Sequence, residues 1–319
     1  MSGHKSLCFY LCFSILAKRY NEEMLCLARL LEPYSLEKTM QHLPTVDYKA
    51  SDAAAQFVES LRNTGFGVLK NHPIPQSLVE SIYKNWQEFF NSEQKHEFLF
   101  SKETQDGYFP PSVSEVAKGF TVKDIKEYYH VYPKGRVPAQ LEEEIREYYR
   151  LANEFAATLL SWVQAEAPED VRAKFSIDLK DMIANSEQTL LRILHYPPMT
   201  GDEEPGAIRA AAHGDINLLT VLPAANEPGL QVQKTDGGWL DVPCDFGNLI
   251  INIGDMLQEA SGGYFPSTIH RVINPTGKAS TKSRISLPLF LHPRPDVVLS
   301  ERYTADSYLQ ERLRELGVK

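Results

Sequence analysis

Cysteine is scarce in this chain and poorly placed for chemistry. Among 319 residues there are four, Cys8, Cys12, Cys26 and Cys244, with three near the N-terminus and none in a CxxC pair. A paired zinc or redox motif is therefore missing, and a chain this long does not need a disulfide framework. The pattern is that of a reduced, cytoplasmic protein. A basic stripe is missing too. The formal net charge is -9, whereas phosphate recognition calls for clustered Lys and Arg, so no nucleic-acid partner is expected. No apolar run reaches the roughly 20 residues that a bilayer-spanning helix requires, and no membrane association is expected. The nearest approach is residues 7–17 (LCFYLCFSILA). A lysine precedes this run, but Ala17-Lys18-Arg19 is not a small-residue cleavage site. It reads as an extra packed helix, or as part of an over-long start with Met24 or Met40 as the true beginning, in preference to a signal peptide. Internal repeats and low-complexity tracts are absent. What is present, 43% hydrophobic and 24% charged residues, suits one large core or a core with a helical annex.

Regular patterning begins at Pro44. Ser51 or Asp52 can cap a helix whose apolar positions Ala55, Phe57, Val58 and Leu61 stop at Gly65. Residues 65–69 then read as a short strand, and Asn71-His72-Pro73 as a turn in which His72 has a local partner. Residues 76–90 are predicted helical, with Leu78, Ile82 and Trp86 on one face. Residues 102–135 read as loop-rich. Their aromatics, including Tyr128-Tyr129-His130-Val131-Tyr132, are either pocket wall or plain packing. Pro138 opens the strongest helical pattern, with Leu141, Ile145, Tyr148, Ala152, Phe155, Leu159 and Trp162 along one stripe, and Pro168 starts a shorter helix.

After Ser186 the period changes from helical to alternating. Strands are predicted at 189–196, 217–222, 230–234, 239–242, 248–253, 270–274 and 284–291, with Asp236-Gly237-Gly238 as a hairpin turn. Many short strands with no helices between them indicate an antiparallel sandwich or jelly roll. Helices first and strands after make that a barrel with a helical buttress. The expected divisions are an extension of unclear role at 1–40, a region of helices and pocket loops at 41–186, a jelly-roll core at 187–296 and a C-terminal tail or helix at 297–319.

Two groups of residues carry chemistry. In His213-Gly214-Asp215 the outer residues lie two apart, so on a strand they share a face, and His270 arrives from a later strand. Two imidazoles and one carboxylate leave coordination positions open, which suits ferrous iron with a chelating co-substrate and oxygen, whereas structural zinc is closed by four ligands. The triplet alone matches a surface turn equally well. The second group is Arg284-Ile285-Ser286, whose Arg and Ser point one way and can clamp a carboxylate. Tyr196 can add a phenol donor, and Arg192 shares its face. The rival for Arg284 is a structural salt bridge.

From about Leu191 to Pro293 the chain resembles the iron- and 2-oxoglutarate-dependent oxygenases of the isopenicillin N synthase-like superfamily. The resemblance rests on His213-Gly214-Asp215, Leu218-Leu219-Thr220, Pro228-Gly229-Leu230-Gln231-Val232, Asn252-Ile253-Gly254-Asp255, Ser267-Thr268-Ile269-His270-Arg271-Val272 and Arg284-Ile285-Ser286. It implies a double-stranded β-helix, a mainly β jelly roll with N-terminal and central helices packed outside. It implies Fe(II) on His213, Asp215 and His270, and 2-oxoglutarate on Arg284 and Ser286 with help from Tyr196. It further implies O2 as the oxidant and a small molecule as the substrate, with Arg192 and Phe290 facing it. The expected reaction is oxidation, chiefly hydroxylation, coupled to 2-oxoglutarate decarboxylation. The alternatives are a 2-oxoglutarate-independent oxidase of the same superfamily or a binding protein without turnover. Gly214 replaces the usual Thr of plant relatives and should point away from the triad. His195 is not expected to be a ligand, and Pro288 suggests an edge or a bulge in the last strand.

Overall fold

The structure, a computed structural model, describes residues 43–113, 122–225 and 227–315. The readings of residues 1–40 therefore lie outside the described residues. In chain order the strands are β1 (Thr45–Asp47), β2 (Phe66–Lys70), β3 (Gly107–Phe109), β4 (Glu127–Val131), β5 (Leu190–Tyr196), β6 (Ala210–His213), β7 (Leu219–Pro223), β8 (Leu230–Gln233), β9 (Trp239–Asp241), β10 (Leu249–Ile253), β11 (His270–Val272), β12 (Arg284–Ser286) and β13 (Leu289–Leu291). They form two sheets. The larger runs β1-β2-β10-β7-β13-β5-β4-β3, with β12 also on β5, and the smaller runs β6-β11-β8-β9. All pairings are antiparallel except β1 with β2. This is the expected jelly roll.

Helices back the larger sheet. Ala139–Glu166 buries the predicted stripe from Leu141 to Leu159 and lies behind β7 and β13. Gln76–Phe90 follows its predicted bounds and lies near β5 and β12. Ala53–Thr64 ends on Gly65 in a left-handed conformation, φ 73°, which glycine adopts without steric cost. A Cβ there would also fall 2.3 Å from Thr268 Oγ1, so the missing side chain lets this helix end approach the segment leading into β11. The expected side-chain cap does not form: Asp52 precedes the helix and accepts from Gln56 N at 3.1 Å only through its backbone carbonyl. Among the described residues no helix is long and apolar enough to cross a membrane.

Three expectations need correction. The stretch 102–135 contains β3 and β4, which extend the larger sheet through β5. Every residue of both strands is buried, and burial on both faces removes the alternation that marks a strand in sequence. Strand β6, Ala-Ala-Ala-His, was not predicted because alanine carries little strand preference. At Pro288 the last strand divides into β12 and β13, but no bulge forms. Ser286 opposes Leu194 and Leu289 opposes Leu191, three residues on along each chain. The ladder continues through Pro288 by its carbonyl, which accepts from Arg192 N at 3.0 Å.

Candidate metal centre

Pairing of β6 with β11 sets His213 directly opposite His270, with ring centres 4.4 Å apart. Each ring is oriented by its own strand. His213 Nδ1 lies 2.7 Å from Ala211 O and His270 Nδ1 3.2 Å from Thr268 O. A carbonyl can only accept, so each Nδ1 carries the proton and each Nε2 presents a lone pair. Those Nε2 atoms lie 3.9 and 3.7 Å from Asp215 Oδ1. One donor atom from each of the three residues falls within 4.8 Å of the others, and this is the metal-competent cluster among the described residues.

Asp215 reaches the cluster in a way that strand alternation did not foresee. β6 ends at His213, and Asp215 sits in the turn beyond it. Its carbonyl accepts from Asp255 N at 2.7 Å. Its Oδ2 accepts from Thr220 Oγ1 at 2.6 Å and Asn252 Nδ2 at 2.8 Å, donors from the paired strands β7 and β10. With Oδ2 held by the larger sheet, Oδ1 turns to the histidines. Burial opposes ionisation of this carboxyl, but His270, His213 and the two donors outweigh it and lower its pKa. Burial and repulsion from His270 lower that of His213; 41% of this side chain is exposed, which limits the size of the effect but not its direction. Both groups are thus in their metal-binding protonation states at neutral pH. A Cβ on Gly214 would meet Ser267 Oγ at 3.4 Å and Asp255 Oδ1 at 3.5 Å.

The second group lies across the barrel, where β12 pairs with β5 and sets Arg284 opposite Tyr196 and Ser286 opposite Leu194. Arg284 is 3% exposed. Its guanidinium carbon is 5.7 Å from the centre of the Tyr196 ring, and neither Nε nor Nη1 has a hydrogen-bond partner. Burial lowers its pKa, yet a guanidinium remains cationic. A buried unpaired cation is costly by several kcal/mol, a cost that an anionic acceptor would offset.

Comparison with known proteins agrees with this chemistry. Residues 187–293 match the sequence model of the 2OG-Fe(II) oxygenase superfamily, and residues 40–156 match that of the N-terminal part of a non-haem dioxygenase in morphine synthesis. The oxoglutarate-dependent flavonoid 7-O-demethylase 1 of Ocimum basilicum is 30% identical over 80% of this chain and 70% of its own. The chain belongs to the 2OG-Fe(II) oxygenase superfamily. A Shewanella oneidensis protein, crystallised as a candidate oxygenase, is 70% identical with a TM-score of 0.80, over 87% of this chain and all of its own. JOX2 in complex with 2OG, Fe and JA is 25% identical with a TM-score of 0.70, over 85% of this chain and 84% of its own. The protein is a dioxygenase that uses Fe(II), with 2-oxoglutarate and O2 as co-substrates.

The oxygenase brings Arg192 and Phe290, the remaining predicted residues, close to each other. Arg192 donates from Nε to His130 Nε2 at 2.9 Å, and its guanidinium carbon lies 4.7 Å from the Tyr128 ring centre and 5.6 Å from that of Phe290. Phe290 opposes Thr220, the donor to Asp215. Sequence reasoning passed over His292, whose Nδ1 lies 3.2 Å from Phe290 O and whose pKa burial lowers, with Asp215 and Arg192 in electrostatic reach. The signal was available: Arg284, Ser286, Phe290 and His292 share one parity. His195 faces the other way, with Nδ1 2.7 Å from Glu127 Oε1 and Nε2 3.0 Å from Gln87 Nε2. His72 is held by Gly247 O at 2.9 Å.

Proposed function

We propose that His213, Asp215 and His270 hold the iron of this oxygenase. Arg284 and Ser286, with Tyr196, hold the distal carboxylate of 2-oxoglutarate, and Arg192 and Phe290 face a small-molecule substrate that is hydroxylated. The observation that carries this reading is the pairing of a preformed two-His, one-carboxylate cluster with a buried guanidinium whose N–H groups have no protein acceptor. Bound there, iron and 2-oxoglutarate supply the oxidising power, as the oxo acid and O2 give succinate and CO2 and the substrate gains oxygen. The chain's own residues do the rest. The backbone carbonyls of Ala211 and Thr268 keep each imidazole in the tautomer that offers Nε2. Thr220 and Asn252 keep Asp215 from rotating and keep it ionised. Arg284 fixes one end of the co-substrate, so that its keto-acid end is aimed rather than free to tumble.

The functional divisions proposed are the jelly-roll core at 187–296, helices and pocket loops at 41–186 and a C-terminal element at 297–319. The acidic surface favours a small-molecule partner over nucleic acid, and the cysteine pattern suits a cytoplasmic setting. The test is a metabolite screen for compounds that accelerate 2-oxoglutarate decarboxylation by the Fe(II)-loaded protein, with product mass as the second readout. A product heavier by one oxygen atom, with one succinate released per turnover, is expected. Substrate oxidation without succinate would overturn the role assigned to the clamp.

A further inference from the structure

A second guanidinium is buried close to the first and has no task in the reading above. Arg209 precedes β6 by one residue. It is 1% exposed and is the bulkiest charged side chain among the fully buried ones. Its backbone N–H donates to Asn274 Oδ1 at 3.0 Å and its Nη2 to Lys282 O at 3.1 Å, while its Nε has no partner. Its guanidinium carbon lies 5.7 Å from the centre of the Tyr196 ring, the same distance as that of Arg284. The carboxylate in electrostatic reach of both arginines, Glu227, is engaged 3.0 Å from Lys282 Nζ. Two buried cations beside one ring, each with an unused N–H and with their shared acid committed to a lysine, leave an excess of positive charge that only an anion offsets.

We propose that Arg209 is a second anchor for the distal carboxylate of 2-oxoglutarate, donating through its unpartnered Nε–H to the group that Arg284 holds. This rests on the assignment of Arg284 to that carboxylate. Two guanidiniums on one carboxylate select 2-oxo diacids over 2-oxo monoacids. An arginine that merely braced the Lys282 carbonyl would be indifferent to the difference.

The experiment is calorimetric titration of 2-oxoglutarate and of pyruvate into the Fe(II)-loaded protein without O2, for the parent, Arg209→Met, Arg209→Lys and Arg284→Met. Arg209→Met is expected to weaken 2-oxoglutarate binding by about tenfold or more, as for one lost partner of a buried charge pair, and to leave pyruvate binding unchanged. Arg209→Lys keeps the charge but not the planar fork and is expected to show a smaller loss in the same direction. Parental 2-oxoglutarate affinity in Arg209→Met, or in Arg209→Lys should the Met variant not fold, overturns the inference. So does equal weakening of both acids, which marks general distortion. If Arg284→Met itself binds 2-oxoglutarate like the parent, the clamp assignment falls first and this inference with it.

Discussion

Strand β5 buries polar side chains on both faces, and the two faces treat them differently. On the outer face His195 is stacked on Phe90 and joined to Glu127 and Gln87. Glu127 also accepts from Lys95 at 3.0 Å and from Tyr108, and Gln87 accepts from Ser283 at 2.6 Å. That network closes on itself. On the inner face Tyr196 has Arg209 and Arg284 beside it, and Arg209 Nε and Arg284 Nε and Nη1 lack partners. The contrast separates two uses of a buried polar group. A satisfied network fixes the fold and asks nothing of a ligand, whereas an unsatisfied one stores a cost that a ligand removes. The metal triad is intermediate: its outer atoms are held by protein and its inner atoms face one another.

This contrast can be broken by mutation. The largest effect should come from His270→Ala, which is expected to reduce turnover to that of the metal-stripped protein while leaving the circular dichroism unchanged. Retained Fe(II)-dependent activity would refute the triad. Next, Glu127→Ala opens the outer network, leaving His195 Nδ1 without its acceptor and Lys95 without its carboxylate partner. It should cost about 3–5 kcal/mol of folding stability in denaturant titration, with little change in the KM for 2-oxoglutarate. Arg284→Met should do the reverse, weakening 2-oxoglutarate by about 2–5 kcal/mol while the ligand-free protein unfolds at the same or a higher denaturant concentration. If the two variants behaved alike, the distinction between the faces would be wrong. A smaller effect is linkage: 2-oxoglutarate at a hundred times its Kd should stabilise the Fe(II)-loaded parent by about 2.7 kcal/mol, and Arg284→Met far less at the same concentration. The smallest change is Gly214→Ala. Its Cβ would meet Ser267 and Asp255 at ordinary contact distances, so stability should stay within about 0.5 kcal/mol and activity near the parent's.

Much of the frame could be read directly from residue order. The helix Gln76–Phe90, the stop at Gly65 and the strands around β5, β8 and β10 all follow from periodicity and turn chemistry, which depend on near neighbours. The triad and the Arg284–Ser286 pair were visible as spacings, because parity along a strand sets which face a side chain takes. Strands β3, β4 and β6 were not visible, since a strand buried on both faces, or built of alanine, has no alternation to detect. Nor did spacing reveal how Asp215 is aimed from beyond the end of β6, or that Arg209 lies beside the clamp.

Residue order alone thus determined the residue types, the faces they take along each strand and the family to which they belong. Only the tertiary structure decided which buried groups find partners. That outcome depends on atoms contributed by strands and helices far apart in the chain. The partners of His195 come from β4, where Glu127 accepts, and from the helix Gln76–Phe90, where Gln87 donates, while Arg284 Nε and Nη1 and Arg209 Nε meet no acceptor. No local pattern encodes a missing neighbour, because its absence is a property of the closed barrel.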